Sequence, residues 1–174
     1  TLYEIVKGVA ENNLEPKNID GICWKDKNGN IIKNKPREYI ENLDILPFPA
    51  RELFNLKEYY SAPTKKVSDE KMVTPILTSR GCAFKCVHCI SNLLWSRRVR
   101  FRSPDNVVNE IEEVVKKYNI REFNILDDTF TLKKDRLIEI CQKIIDKKLN
   151  IFWICFSRVN TIDEEMAGIM YKAG

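Results

Sequence analysis

The sequence lacks long apolar runs. Its longest, residues 151–156, falls far short of the roughly 20 consecutive apolar residues that a membrane-spanning helix needs. It also lacks the basic–apolar–small pattern of a signal peptide. A secreted disulfide framework is therefore not expected, and the cysteines read as belonging to a reducing, cytoplasmic compartment. Surplus charge is small: 29 Lys and Arg against 25 Asp and Glu leave a net +4, too little to imply nucleic-acid binding on its own. There is a single histidine, His88, and no low-complexity tract. What remains is material for a packed domain, with 44% hydrophobic and 31% charged residues in 174. At roughly 100–200 residues per domain, that is one domain or pieces of two. The chain starts at Thr1 and stops at Lys172-Ala173-Gly174, where a helix is ending. A segment of a longer protein is expected.

Residues 1–60 read as a small α+β segment. Asp20-Gly21-Ile22-Cys23-Trp24-Lys25 and Ile31-Ile32-Lys33 flank Lys27-Asn28-Gly29-Asn30, and Asn-Gly predicts a hairpin closed by a type I′ turn. Leu46-Pro47-Phe48-Pro49 is too rich in proline for helix or ladder and reads as an ordered connector. The polar stretch 61–71 reads as a linker.

From residue 72 onward strands and helices alternate. Residues 73–78 form a strand, with Pro75 arguing for a sheet edge because proline cannot donate to a ladder. Ser103-Pro104 opens a helix as N-cap and first helical residue. Val107, Val108, Ile111, Val114, Val115 and Tyr118 share one face of it. Residues 122–126 are a second strand, and Leu137, Ile138, Cys141, Ile144 and Ile145 mark a second helix. Residues 151–156, apolar on both faces, read as a buried parallel strand. Thr161-Ile162-Asp163-Glu164 is a capping box for a third helix. Three βα units in a row imply an α/β fold with a parallel sheet.

The six cysteines divide in two. Cys23, Cys141 and Cys155 lie in apolar patterns and read as small core residues. Cys82, Cys86 and Cys89 form a C-x3-C-x2-C cluster directly after the first strand, where parallel α/β folds gather ligand sites. Three thiolates on one loop can hold an iron–sulfur cluster and leave one iron open to a substrate or cofactor, since such clusters usually take four. Two alternatives stand beside this. His88 could be the fourth ligand of a zinc site, although it adjoins Cys89 and no second ligand pair exists. The cysteines could also be plain buried residues.

The cysteine loop resembles that of the radical S-adenosylmethionine (SAM) superfamily. Leu77-Thr78-Ser79-Arg80-Gly81-Cys82, the stretch 95–104, Leu126-Asp127-Asp128-Thr129-Phe130-Thr131 and Ser157-Arg158-Val159-Asn160 are similar to the subgroup with an N-terminal cobalamin-binding domain. Residues 40–51 resemble the junction between that domain and the barrel. The resemblance implies a partial (β/α) barrel in residues 72–174, preceded by the trailing part of a cobalamin-type domain in 1–60.

It also implies chemistry. Cys82, Cys86 and Cys89 would bind a 4Fe–4S cluster that reductively cleaves SAM to a 5′-deoxyadenosyl radical, with methyl transfer or rearrangement where cobalamin takes part. His88 replaces the family's usual aromatic residue beside the adenine. Asp127 or Asp128 would accept a hydrogen bond from the SAM ammonium, a charge-assisted contact; the plain reading of this pair is two acids at a helix start. Ser157 and Arg158, at the third strand's end, would meet the SAM carboxylate or ribose, or Arg158 is a surface arginine. The histidine-containing cobalamin loop is absent, so cobalamin would be bound by residues outside this segment.

A small-molecule substrate and an electron donor are the partners implied, with no membrane. The basic run 97–102, with Trp95 and Phe101, could serve nucleic acid or form a solvated rim. The competing functions are a zinc-stabilised or iron–sulfur electron-transfer module and a tRNA-modifying radical SAM enzyme. The strand at 151–156, apolar and without a next neighbour, is expected to let the segment self-associate through an open edge.

Overall fold

The structure, a computed structural model, describes residues 1–60, 72–95 and 97–174. The linker expected at 61–71 lies outside the described residues. The chain divides into two compact units, Thr1–Ile40 and Glu41–Gly174, so the proline-rich connector belongs to the same unit as the sheet.

The first unit holds helix α1 (Leu2–Ala10) and the antiparallel hairpin β1 (Cys23–Lys25) with β2 (Ile31–Lys33). The expected hairpin is present, but its turn is not type I′. That type needs positive φ at both central residues, and in this turn only Gly29 has it, at +86°. The Asp26 carboxylate explains the difference: Oδ1 accepts from the amides of Asn28 and Asn30 at 2.9 and 2.8 Å. This holds a longer turn in which Gly29 N–H donates to the Asp26 carbonyl. Cys23 is exposed on this hairpin and is not the core residue its apolar neighbours suggested.

The second unit is built on a three-stranded parallel sheet of order β3 (Val73–Ile76), β6 (Glu122–Ile125), β7 (Phe152–Cys155). After the short helix α2 (Ser91–Trp95), helices α3 (Pro104–Tyr118), α4 (Lys134–Asp146) and α5 (Glu164–Lys172) follow the strands in turn. The α/β reading therefore holds, as an open sheet with no closed barrel among the described residues. Ser103 caps α3 by accepting from the Asn106 amide at 3.1 Å, with Pro104 at the first turn. Their apolar faces meet the sheet in one core that includes Ile76, Val108, Ile111, Phe123, Leu137 and Ile140.

Two local expectations need correction. The N-cap of α5 is Asp163, whose Oδ1 accepts from Met166 N–H at 2.9 Å. Thr161 instead ends a short 3-10 turn, Val159–Thr161. Strand β7 is also not buried on both faces. Trp153 is covered, while Phe152 and the following Phe156 are 43% and 49% exposed, because β7 ends the sheet on one side.

Pro75 does lie on an edge strand, β3, and that edge is sealed. Arg51 donates to Thr74 Oγ1 and the Pro75 carbonyl, both at 3.1 Å, and Arg102 donates to the Leu77 carbonyl at 2.9 Å. Glu110 of α3, 1% exposed, accepts from both guanidiniums. Two arginines far apart in sequence thus close an edge that would otherwise invite pairing.

Candidate functional site

The cysteine loop leaves the sheet just after β3 and is pinned at its base. Strand β4 (Ser79–Arg80) pairs antiparallel with β5 (Arg100–Phe101), bringing the loop's two ends together. Gly81 makes the exit: its φ is +101°, and a Cβ there would lie 2.0 Å from the Arg98 carbonyl oxygen. Only glycine combines that φ with so close a backbone approach. Inside the loop, Cys86 and Cys89 are joined by a tight turn, Cys89 N–H donating to the Cys86 carbonyl at 3.1 Å. Cys82 and Cys86 are half-buried and Cys89 is exposed, as is His88 beside it.

The ends of β6 and β7 face this loop. Cys82 Sγ lies 3.8 Å from Thr129 Oγ1. Arg158 Nη1 donates to Cys86 Sγ at 2.9 Å, and its guanidinium stacks on Phe84, 4.2 Å from the ring centroid. Ser157 belongs to a hydroxyl cluster, 2.7 Å from Thr131 Oγ1, which in turn lies 2.6 Å from Thr161 Oγ1.

Asp127 and Asp128, adjacent in sequence, are placed in opposite environments. Asp127 is 1% exposed. It accepts from the Thr78 amide at 2.6 Å and from the hydroxyls of Thr78 and Ser79 at 2.5 and 2.6 Å. Both of its oxygens are engaged in holding the β3–β4 corner, a charge-assisted set that fixes the chain just ahead of the cysteines. Asp128 is exposed and has the Ser91 hydroxyl at 3.3 Å.

The donor set fits an iron–sulfur cluster, whose thiolates sit on separate irons. Among the described residues, no group of three His, Cys, Asp or Glu side chains is arranged to hold a single metal ion. Cys141 on α4 and Cys155 on β7 are insulated. Burial pushes the Cys141 thiol up to about 12, helped by neighbouring Cys155. Burial, with the Asp127 charge adding to it, pushes Cys155 up to about 11. Neither is poised to ligate as a thiolate.

The basic run is largely committed inside its own unit. Arg98 pairs with Glu41 at 2.6 Å, Arg100 is buried with its guanidinium 5.6 Å from the Trp95 ring centroid, and Arg102 serves Glu110. Sequence reasoning missed Phe84 and Thr129 as neighbours of the cysteines. A flat ring two residues after Cys82 and a threonine directly after the aspartate pair were the available signals. No described helix is long and apolar enough to cross a membrane.

A family model described as the radical SAM superfamily matches residues 76–174. Over its whole length the chain is 36% identical to an uncharacterized methyltransferase of Pyrococcus horikoshii, covering 36% of that protein. It is 30% identical over 158 residues to the anaerobic magnesium-protoporphyrin IX monomethyl ester cyclase of Rubrivivax gelatinosus, covering 90% of this chain and 27% of that one. Among solved structures, the radical S-adenosylmethionine methyltransferase TsrM of Kitasatospora setae, with cobalamin and a 4Fe-4S cluster bound, superposes with a TM-score of 0.70 at 18% identity. That match covers 99% of this chain and 34% of TsrM. The cobalamin-dependent S-adenosylmethionine radical enzyme OxsB superposes at 0.66 and 16% identity, over 100% of this chain and 25% of OxsB. These structural likenesses speak for the fold. The chain spans about a third of the length of the curated relatives it matches.

Proposed function

The chain belongs to the radical SAM superfamily, and from that premise we propose that it carries the cluster-binding half of an enzyme that reductively cleaves SAM and acts on a small molecule. The observation that carries this reading is the placement of Cys82, Cys86 and Cys89 on one pinned loop at the carboxyl ends of the parallel strands, with Asp128 and Arg158 beside them. Cys82, Cys86 and Cys89 would hold a 4Fe–4S cluster, which would supply the single electron for cleavage.

The chain's own residues do the rest. Gly81 and the β4–β5 pair hold the loop at the strand ends. Asp127 secures the corner before it. Asp128, with its carboxylate exposed, is the acid that accepts a hydrogen bond from the SAM ammonium. Ser157 and Arg158 meet the carboxylate or ribose, and His88 lies against the adenine.

The relatives named as methyltransferases, and the neighbours with cobalamin, support methyl transfer as the outcome, with cobalamin held by residues outside this segment. An electron donor and a cytoplasmic setting complete the reading. The domain division follows from it: residues 1–60 are the trailing part of a cobalamin-binding domain and its connector, residues 61–71 link, and residues 72–174 are the N-terminal half of the barrel. The test is anaerobic incubation of the reconstituted full-length protein with SAM and a strong reductant. Formation of 5′-deoxyadenosine and methionine is expected. A protein that binds zinc tightly and leaves SAM intact would overturn the reading.

A further inference from the structure

Arg158 makes three contacts that a residue devoted only to SAM would not need. Nη1 donates to Cys86 Sγ at 2.9 Å, the guanidinium plane stacks 4.2 Å from the Phe84 ring centroid, and Nε reaches Asn160 Oδ1 at 3.3 Å. The contacts to Phe84 and Cys86 cross from the end of β7 to the cysteine loop, 72 residues apart in sequence for Cys86. The planar fork of arginine can stack on a ring and still aim an N–H at a neighbouring acceptor, which lysine cannot do in the same way.

We infer that Arg158 is a positioning residue for the cluster itself: it ties the cysteine loop to the end of β7 and sets the cluster's reduction potential through its hydrogen bond to the Cys86 sulfur. This rests on the reading that Cys86 is a cluster ligand. The physics is direct. A cluster's potential depends on its net charge and on hydrogen bonds to its sulfurs. Reduction adds a negative charge, and a cation donating to a ligand sulfur stabilises the reduced form more than the oxidised one. Removing Arg158 therefore lowers the potential and makes the cluster harder to reduce. The remaining N–H groups of the guanidinium stay available for SAM, so one residue serves both roles.

The experiment uses the full-length protein with Arg158→Ala and Arg158→Lys, in the absence of SAM, so that substrate contacts play no part. Potentials of the reconstituted clusters are measured by redox titration followed by electron paramagnetic resonance. The alanine variant is expected to titrate at a more negative potential, with lysine between it and the unmodified protein. Equal potentials in all three overturn the inference. A second measurement, amide hydrogen exchange of residues 84–89 in the cluster-free protein, reads the tie alone: faster exchange in the alanine variant supports it and unchanged exchange contradicts it. If the unmodified protein forms no iron–sulfur chromophore, the cluster reading fails and with it the claim about potential, while the exchange result still decides whether Arg158 holds the loop.

Discussion

On the helix-facing side of the sheet, Phe123, Ile125, Leu137 and Ile140 are at most 3% exposed and mesh into one core. At the carboxyl ends of the same strands, Leu77 and Leu126 are about half exposed, and polar groups replace packing: Asp127, Thr129, Ser157 and Arg158. The two regions share three strands and differ in what neighbours require. The first is held by apolar burial, which tolerates few voids. The second is held by directed contacts to single atoms, such as Asp127 to the Thr78 amide and Arg158 to the Cys86 sulfur. Substitutions in the packed region are therefore expected to change stability while leaving the chemistry of the strand ends in place.

The largest effects fall on the packed side. Phe123→Ala should cost about 3–5 kcal/mol, since the ring is 1% exposed in a close-packed core. Glu110→Ala should cost a similar ~3–5 kcal/mol, because it strands Arg51 and Arg102 without their shared anion. Chemical denaturation measures both. Neither residue touches the cysteine loop, so iron uptake of whatever protein remains folded should be unchanged.

The strand-end region sharpens the contrast through its two aspartates. Asp127→Asn should destabilise by about 1–3 kcal/mol, as buried donors at Thr78 and Ser79 lose their charged acceptor. Asp128→Ala should leave stability nearly untouched and weaken SAM binding roughly tenfold to a hundredfold, the worth of about 1.5–3 kcal/mol for a charge-assisted bond. Titration calorimetry on the reconstituted protein separates the two. The opposite pattern would exchange their roles.

A smaller effect is expected from pH. The Cys141 and Cys155 thiols are held at about 12 and about 11, against 9.0 for an ordinary thiol. The unfolded chain ionises them first, so their contribution to stability is full below pH 9.0 and is lost as pH rises toward the folded values. Thermal melts across alkaline pH should show Tm falling above that point, less so in Cys155→Ala. Alkylation of the folded cluster-free protein should label the exposed Cys23 and Cys89 while sparing the buried Cys141.

Much of this was legible in the residue order. The stripe through Val107, Ile111 and Val114, the Ser103-Pro104 start and the cysteine spacing are local patterns, and local patterns survive without a fold. Edge placement of β3 followed from Pro75 alone, because a missing N–H constrains the ladder wherever the strand lies. What could not be read depends on distant partners. Arg51 and Glu110 meet across 59 positions, and nothing near either residue announces the other. The aspartates look equivalent in sequence; burial against Thr78 and Ser79, 49 and 48 positions away, tells them apart. The α5 cap was misassigned because Thr161 and Asp163 both suit an N-cap, and the Arg158 turn claims the threonine.

The most direct test of the account counts iron in single-cysteine variants of the full-length protein after anaerobic reconstitution. Cys82→Ala, Cys86→Ala and Cys89→Ala should each abolish the roughly four irons of a cubic cluster, while Cys23→Ala, Cys141→Ala and Cys155→Ala keep them. Retention of iron when any loop cysteine is removed, or its loss with Cys141→Ala or Cys155→Ala, would contradict the assignment of the site.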